Sequence, residues 1–181
     1  MAQWETDLTT RTGFTFHVRP VRGDDAAALQ EFFGHVSPED LRFRFLSTVK
    51  KVGQDRLRAM TEVDHQRTEN FVAIDPETDA VIATAMLACD PAMAVGEVAI
   101  SIRQDFKSRG VSWELLGYVS RFAQARGVGR LESIEDRSNL SAISLEKEMG
   151  FTSRACPGDP TVVVLEKQLR PLAGALDAHQ S

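Results

Sequence analysis

The sequence is poor in cysteine, and its few metal-binding side chains are scattered. Its two cysteines, Cys89 and Cys156, lie far apart without the close spacing of a metal site, and the four histidines are equally dispersed. This pattern excludes a zinc module and a scaffold held together by disulfides. We therefore expect no metal cofactor.

An excess of positive charge and long apolar runs are also missing. The chain has 21 Lys and Arg against 26 Asp and Glu, a formal net charge of -5, whereas surfaces for nucleic acid or anionic lipid need cationic excess. No run approaches the roughly 20 apolar residues of a membrane span, and no apolar segment follows a basic start. The sequence therefore predicts a cytoplasmic protein without a nucleic-acid or membrane partner.

The sequence does contain enough apolar material for one folded unit. Its 181 residues are 43% hydrophobic and 26% charged, which is typical of a single globular domain. No internal repeat or interdomain linker interrupts it. We expect the domain to cover residues 14–170, between frayed tails at 1–13 and 171–181.

Hydrophobic periodicity and turn residues predict a mixed α/β domain. Helices are expected after Asp24 or Asp25, after Ser37-Pro38, over 54–61, after Gly110 and after Asn139. The predicted strands cover 14–21, 70–74, 80–87, 95–102, 131–135 and 161–165. The resulting order is β-α-α-α-β-β-β-α-β-α-β, with an antiparallel meander in the middle.

A charged turn with one glycine separates the last meander strand from the next helix. In the stretch IRQDFKSRGVSWELL, residues 102–116, the apolar strand ends, Lys107 and Arg109 follow, and Gly110 opens the helix. A helix N-terminus has unpaired N–H groups and a partial positive charge, which suit an anion such as phosphate. The alternative is that Gly110 only permits a tight turn.

Several stretches of the chain resemble a known family. The turn FKSRGVS, followed by NLSAISLEKEMGF at 139–151, resembles the Gcn5-related N-acetyltransferase superfamily, and the match covers nearly the whole chain. Within it, VRPVRGDDAAALQEFF, SPEDLRFRFLS and GEVAISIRQDFKSRG resemble the acetyltransferase domain of Pat-type bacterial protein lysine acetyltransferases. The resemblance implies a single α/β domain whose mixed central sheet has strands splayed around a CoA-binding cleft, with flanking helices.

The resemblance also implies acetyl-CoA as co-substrate and the residues that hold it. The glycine turn would wrap the pyrophosphate, and the second signature, with Ala142, Leu145, Gly150 and Phe151, would line the pantetheine and the thioester. Asn139 has an alternative role as a helix cap. The residues assigned to CoA binding are Ile100, Ser101, Ile102, Lys107, Ser108, Arg109, Gly110, Val111, Ser112 and Asn139.

The resemblance assigns the general base to Glu97. This residue lies on the strand before the turn, where alternation places it on one face with Ala99 and Ser101. A lysine ammonium, of reference pKa about 10.4, must lose a proton before it attacks. A carboxylate with a pKa raised by burial would suit that task; the alternative is a solvated glutamate on a half-exposed sheet.

Three residues depart from the family pattern. Lys107 replaces the usual Gln or Arg, and Ser112 replaces Gly or Ala, so weaker acetyl-CoA binding is one expectation. Glu146 stands where many relatives have the tyrosine that protonates departing CoA, and the single tyrosine, Tyr118, lies in another helix. A thiol of reference pKa about 8.5 is a good enough leaving group to manage without that acid.

The expected function is acetyl transfer from acetyl-CoA to a primary amine, preferably a protein lysine, by direct attack in a ternary complex. A small-molecule amine is the second acceptor class. A non-catalytic acyl-CoA-binding or regulatory module is the alternative, suggested by Lys107, Ser112 and the absent tyrosine. We expect a monomer or a homodimer.

Overall fold

A mixed eight-stranded sheet organises the protein, whose computed structural model describes residues 2–47 and 51–170. Across the sheet the order is β1-β2-β3-β4-β5-β6-β8-β7. β5 and β6 are parallel, and the other neighbours are antiparallel. The strands are β1 (Thr6–Thr9), β2 (Thr15–Pro20), β3 (Thr68–Ile74), β4 (Val81–Cys89), β5 (Val95–Ile102), β6 (Arg130–Asp136), β7 (Thr152–Ala155) and β8 (Val162–Gln168).

The part of the chain that the structure describes has five α-helices, and the sequence predicted each of them. Ser37 caps α2 by accepting the Asp40 N–H at 3.1 Å, and Gly127, with φ of +81°, follows the end of α4. None of these helices has the length and apolar content that crossing a membrane requires. They are α1 (Ala26–Phe33), α2 (Pro38–Phe45), α3 (Gln54–Thr61), α4 (Val111–Ala125) and α5 (Leu140–Glu148).

Helices cover both faces of the sheet, and two buried clusters hold the layers together. Successive side chains of β3 point to opposite faces of the sheet. Phe71 packs in the cluster that includes α4, whereas Val72 packs in the cluster that includes α1 and α3. On α4 the buried residues recur at helical spacing, as at Leu115 and Val119. These layers confirm the predicted α/β class.

The two edge strands, β1 and β7, were not predicted. β1 pairs with β2, and beside it the Trp4 ring packs edge-on against Phe122 at 4.9 Å, which corrects the expectation of a frayed tail over 1–13. Both strands are short, and all four residues of β7 are exposed, so neither shows the alternation that identifies a strand. The predicted tail at 171–181 lies outside the described residues.

The feature that positions the site is the divergence of β5 and β6. These strands are in register at Val95–Arg130, Gly96–Leu131 and Glu97–Glu132, and within the described chain their pairing ends there. Beyond that point β5 stays paired with β4, and β6 stays paired with β8. A gap therefore opens inside the sheet, as the predicted splay required.

We expect the last paired residues to be sensitive to added volume. A Cβ on Gly96 would lie 2.7 Å from Leu87 Cδ1 and 3.5 Å from Leu131 Cδ2. Gly96→Val should therefore lower the free energy of unfolding by about 1–3 kcal/mol, the usual cost of overpacking, as measured by denaturant titration. Gly23→Ala is the control, because nothing lies within 4 Å of a Cβ there; equal stability of the two variants would contradict the prediction.

Candidate active site

The gap between β5 and β6 is a cleft of about 330 Å³, within the range of small-molecule sites. Its walls are the diverging strands, α2, the start of α4, and α5. Among the described residues, no three His, Cys, Asp or Glu side chains are grouped to hold a metal ion. The charged residues that line the cleft are Asp40, Arg44, Glu97, Lys107, Glu135 and Glu146.

One end of the cleft is the N-terminus of α4. The backbone turns into the helix through left-handed conformations at Ser108, φ +63°, and Gly110, φ +84°. The first helical bond joins the Glu114 N–H to the Gly110 carbonyl at 3.2 Å, and no described side chain caps the preceding N–H groups. These N–H groups and the helix dipole suit an anion.

Gly110 is also required by the backbone itself. Its φ is unfavourable for any residue with a side chain, and a Cβ there would lie 3.3 Å from the Thr10 Cβ. The tight-turn reading of this glycine is therefore correct, and it is compatible with a ligand at the helix N-terminus because Gly110 lines the cleft.

The cations of the turn have protein partners. Lys107 Nζ lies 2.7 Å from Asp40 Oδ2 on α2, and the Arg109 guanidinium lies over the Phe106 ring at 4.7 Å. Arg109 is exposed and does not line the cleft. The other residues predicted to bind CoA all line it, namely Ile100, Ser101, Ile102, Lys107, Ser108, Gly110, Val111, Ser112 and Asn139.

Glu97 lies at the opposite end, where the strands meet. It lines the cleft but is exposed, so the burial expected of it is absent. The half-buried guanidinium of Arg44 is near, with one long contact from Nη2 to Met86 Sδ at 3.7 Å. Burial lowers the Arg44 pKa, while the charges of Glu97 and Glu135 oppose that shift.

A pair of carboxyl groups on β6 and α5 lies in the same wall. Ser133 Oγ donates to Glu135 Oε1 at 2.6 Å, and Asn139 Nδ2 donates to Glu135 Oε2 at 3.2 Å. Asn139 also caps α5, because its Oδ1 accepts the Ala142 N–H at 3.5 Å. Its helix-capping role is thus real, and it also orients Glu135.

Glu146 is the second member of the pair and is only 5% exposed. Burial, and then the negative charge of Glu135, raise the pKa of Glu146 to about 8. Burial also raises the pKa of Glu135, but hydrogen bonds and the charge of Arg44 oppose it there. These surroundings therefore favour protonation of Glu146 over protonation of Glu135.

Sequence reasoning treated Glu146 only as a departure from a pattern. A usable signal was present, since Glu146 follows Ala142 by one helical turn and so shares the inward face of α5. Tyr118 lies elsewhere, buried in α4, where its hydroxyl donates to the Trp4 carbonyl oxygen. Burial raises the Tyr118 pKa, and this side chain takes no part in the cleft.

Comparison with known proteins identifies similar chains. The model of the acetyltransferase (GNAT) family matches residues 38–151. An acetyltransferase of Pseudomonas aeruginosa is 26% identical over 151 residues, which are 81% of this chain and 80% of that protein. The crystal structure of the GNAT domain of S. lividans PAT is 28% identical, with a TM-score of 0.87, covering 93% of this chain and 99% of that one.

A third relative shares the fold at lower identity. It is a putative acetyltransferase from Salmonella typhimurium, solved with its cofactor acetyl-CoA. Its TM-score is 0.68 at 18% identity, and the match covers 87% of this chain and 96% of that one.

The raised pKa of Glu146 predicts a specific pH dependence of stability. Between pH about 4.5 and about 8 the folded protein keeps a proton that the unfolded chain releases, so the free energy of unfolding should fall as pH rises. The slope for one proton is at most about 1.4 kcal/mol per pH unit. Glu146→Gln should flatten this slope in denaturant titrations across pH 5–9.

The matched control is Glu148→Gln, which changes an exposed glutamate on the same helix. It should leave the wild-type slope in place. A Glu146→Gln slope equal to that of wild type would show that Glu146 is ionised in the folded protein.

Proposed function

The chain belongs to the GNAT acetyltransferase family, and from this premise we propose that it transfers acetyl from acetyl-CoA to a primary amine, preferably a protein lysine. Glu97 is the proposed general base. The observation that carries the proposal is the cleft, which joins an anion site at α4 to a carboxylate where β5 and β6 meet.

The residues of the cleft fit acetyl-CoA. The free N–H groups at the start of α4 and the charge of Lys107 suit the pyrophosphate. From there, the β5 edge that faces away from β4 lacks β6 as a partner over Val98–Ile102, so its backbone groups can pair with the amides of pantetheine. The thioester would lie near Glu97, because the strands close the cleft there.

Glu97 is placed to receive the proton of the acceptor. Its exposure lets a lysine side chain approach from solvent, and the ammonium must lose a proton before its nitrogen can attack. Arg44 supplies a positive charge nearby.

The Pat-type stretches of the sequence favour a protein lysine over a small-molecule amine. The alternative is a non-catalytic acyl-CoA-binding module. The ion pair between Lys107 and Asp40 favours this alternative, because Asp40 already neutralises the lysine that lies nearest the N-terminus of α4.

Release of free thiol from acetyl-CoA tests the proposal. The protein is incubated with acetyl-CoA and lysine-containing proteins, peptides or small amines, and thiol is measured with and without each acceptor. Acceptor-dependent release, greatest with protein lysines, is the expected result. Binding of acetyl-CoA without release across the panel would instead identify a binding module.

Removing the base should affect turnover but leave binding intact. Glu97→Gln keeps the shape of the side chain, so acetyl-CoA affinity by calorimetry should barely change while turnover at pH 7 falls by ~10²-fold or more. The deficit should shrink as pH approaches the acceptor pKa. Glu132→Gln is the control, since Glu132 is the register partner of Glu97 on β6 but does not line the cleft; equal activity of both variants would exclude Glu97 as base.

Freeing Lys107 should tighten acetyl-CoA binding. Asp40→Asn removes a negative charge from the cleft and releases Lys107 for phosphate, so affinity should rise by up to about fivefold, the scale of an exposed ion pair. Glu39→Gln removes the neighbouring exposed acid of the same helical turn and should leave affinity unchanged. Weaker binding of Asp40→Asn in calorimetry would show that the pair builds the site.

A further inference from the structure

The carboxyl pair of Glu135 and Glu146 is not accounted for by the fold or by the role of Glu97. Within the described residues, Glu146 Oε2 is buried and has no hydrogen-bond partner. Leaving a buried polar atom unpaired is costly, and such atoms are rare in folded proteins. An apolar side chain on α5 would avoid that cost, so the pair calls for a functional explanation.

The surroundings of the pair favour a proton on Glu146 over one on Glu135. Glu135 accepts hydrogen bonds from Ser133 and Asn139, so its oxygens act as acceptors, whereas Glu146 Oε2 has no donor. Arg44 on α2 favours the ionised form of Glu135. The other charged residues that line the cleft are Glu97, Lys107 and Asp40. Lys107 and Asp40 form an ion pair, so their charges largely cancel.

The pair lies at the end of the cleft where the thioester is expected. Ser133, which binds Glu135, directly follows Glu132, the last β6 residue in register with β5. Glu135 lies further along β6, so the pair borders the opened part of the sheet on the β6 side, while Glu97 lies on the β5 side where the strands close. Glu97 on β5 and Glu146 on α5 thus line the same cleft from its two sides.

We propose that Glu146 is the proton donor to the sulfur that leaves on acetyl transfer, and that Glu135 is the positioning residue that keeps the proton on Glu146. This inference rests on the proposed function. The amine nitrogen bonds to the carbonyl carbon, the carbon–sulfur bond breaks, and its electron pair goes to sulfur. Glu146 gives its proton to that sulfur and becomes a carboxylate, while Glu97 takes the proton of the nitrogen.

The paired arrangement also returns the catalyst to its starting state. After transfer, two adjacent carboxylates repel each other, so Glu146 regains a proton from solvent. The pKa of Glu146, about 8, is close to the reference value of about 8.5 for a thiol. Proton transfer between them is therefore nearly balanced in energy, which is the condition for an effective acid.

The kinetic test compares wild type with Glu146→Gln, which imitates the neutral side chain but cannot donate its proton as an acid. Acetyl-CoA affinity should be retained, and turnover at pH 7 should fall by roughly 10²-fold, the lower end of the range for acid–base catalysis. The ratio of wild-type to variant turnover cancels the titration of the acceptor, and it should decline toward one as pH rises through the pKa of Glu146.

Glu135→Gln supplies a second and independent variant. It removes the negative charge beside Glu146, so the decline in turnover on the alkaline side should begin at lower pH than in wild type. A Glu135→Gln profile that coincides with the wild-type profile would refute the positioning role. A constant ratio of wild type to Glu146→Gln across pH would refute proton donation.

An infrared measurement reads the proton without any turnover. The carbonyl stretch of a protonated carboxylic acid should be present at pH 7 in wild type, be lost at high pH, and be missing in Glu146→Gln. Absence of this band in wild type would overturn the inference alone. Failure of wild type to release thiol with any acceptor would overturn the proposed function, and with it the catalytic role, even if the band is present.

Discussion

The rest of the site depends on one constraint: β5 and β6 stay hydrogen-bonded to their outer neighbours, β4 and β8, but stop pairing with each other after Glu97 and Glu132. β4 pairs with β5 as far as Ile102, and β8 pairs with β6 as far as Asp136. The sheet can therefore open between β5 and β6 without losing either half. The inner backbone groups are left for another partner, and a ligand with amide groups satisfies them without any rearrangement of the core.

The two ends of the cleft differ in charge. At the α4 end, the N–H groups of the first helical turn and the helix dipole present positive charge to an anion. At the closed end, the charges of Glu97 and Glu135 act on the Arg44 guanidinium, and the charge of Glu135 acts on Glu146. In the proposed reaction, phosphate binding and proton transfer take place at different ends of the cleft, so the groups that would hold the phosphate do not lower the proton affinity of the acids at the other end.

Local signals explain what could be predicted from the sequence. The bounds of α3 and β5 match those expected, and Ser37 and Asn139 cap the predicted helices, because caps and periodicity act within a few residues. The edge strands β1 and β7 depend on pairing with distant segments and escaped prediction. The raised pKa of Glu146 was not predicted either, because it depends on Glu135 of β6 and on how α5 packs. Glu97 was predicted at the cleft, but its exposure is set by neighbouring elements.

The Glu135–Glu146 pair shows why a site of this kind works against the stability of its own fold. Burial and the charge of Glu135 raise the pKa of Glu146, so the folded state is expected to lose stability as pH rises toward neutrality. Strain of this sort persists where the surrounding structure fixes it. Here Ser133 and Asn139 hold Glu135 in place, and the α5 cap holds the helix that carries Glu146. Asn139 both caps α5 and donates a hydrogen bond to Glu135. The position of α5 and the protonation of Glu146 are therefore coupled through this one side chain.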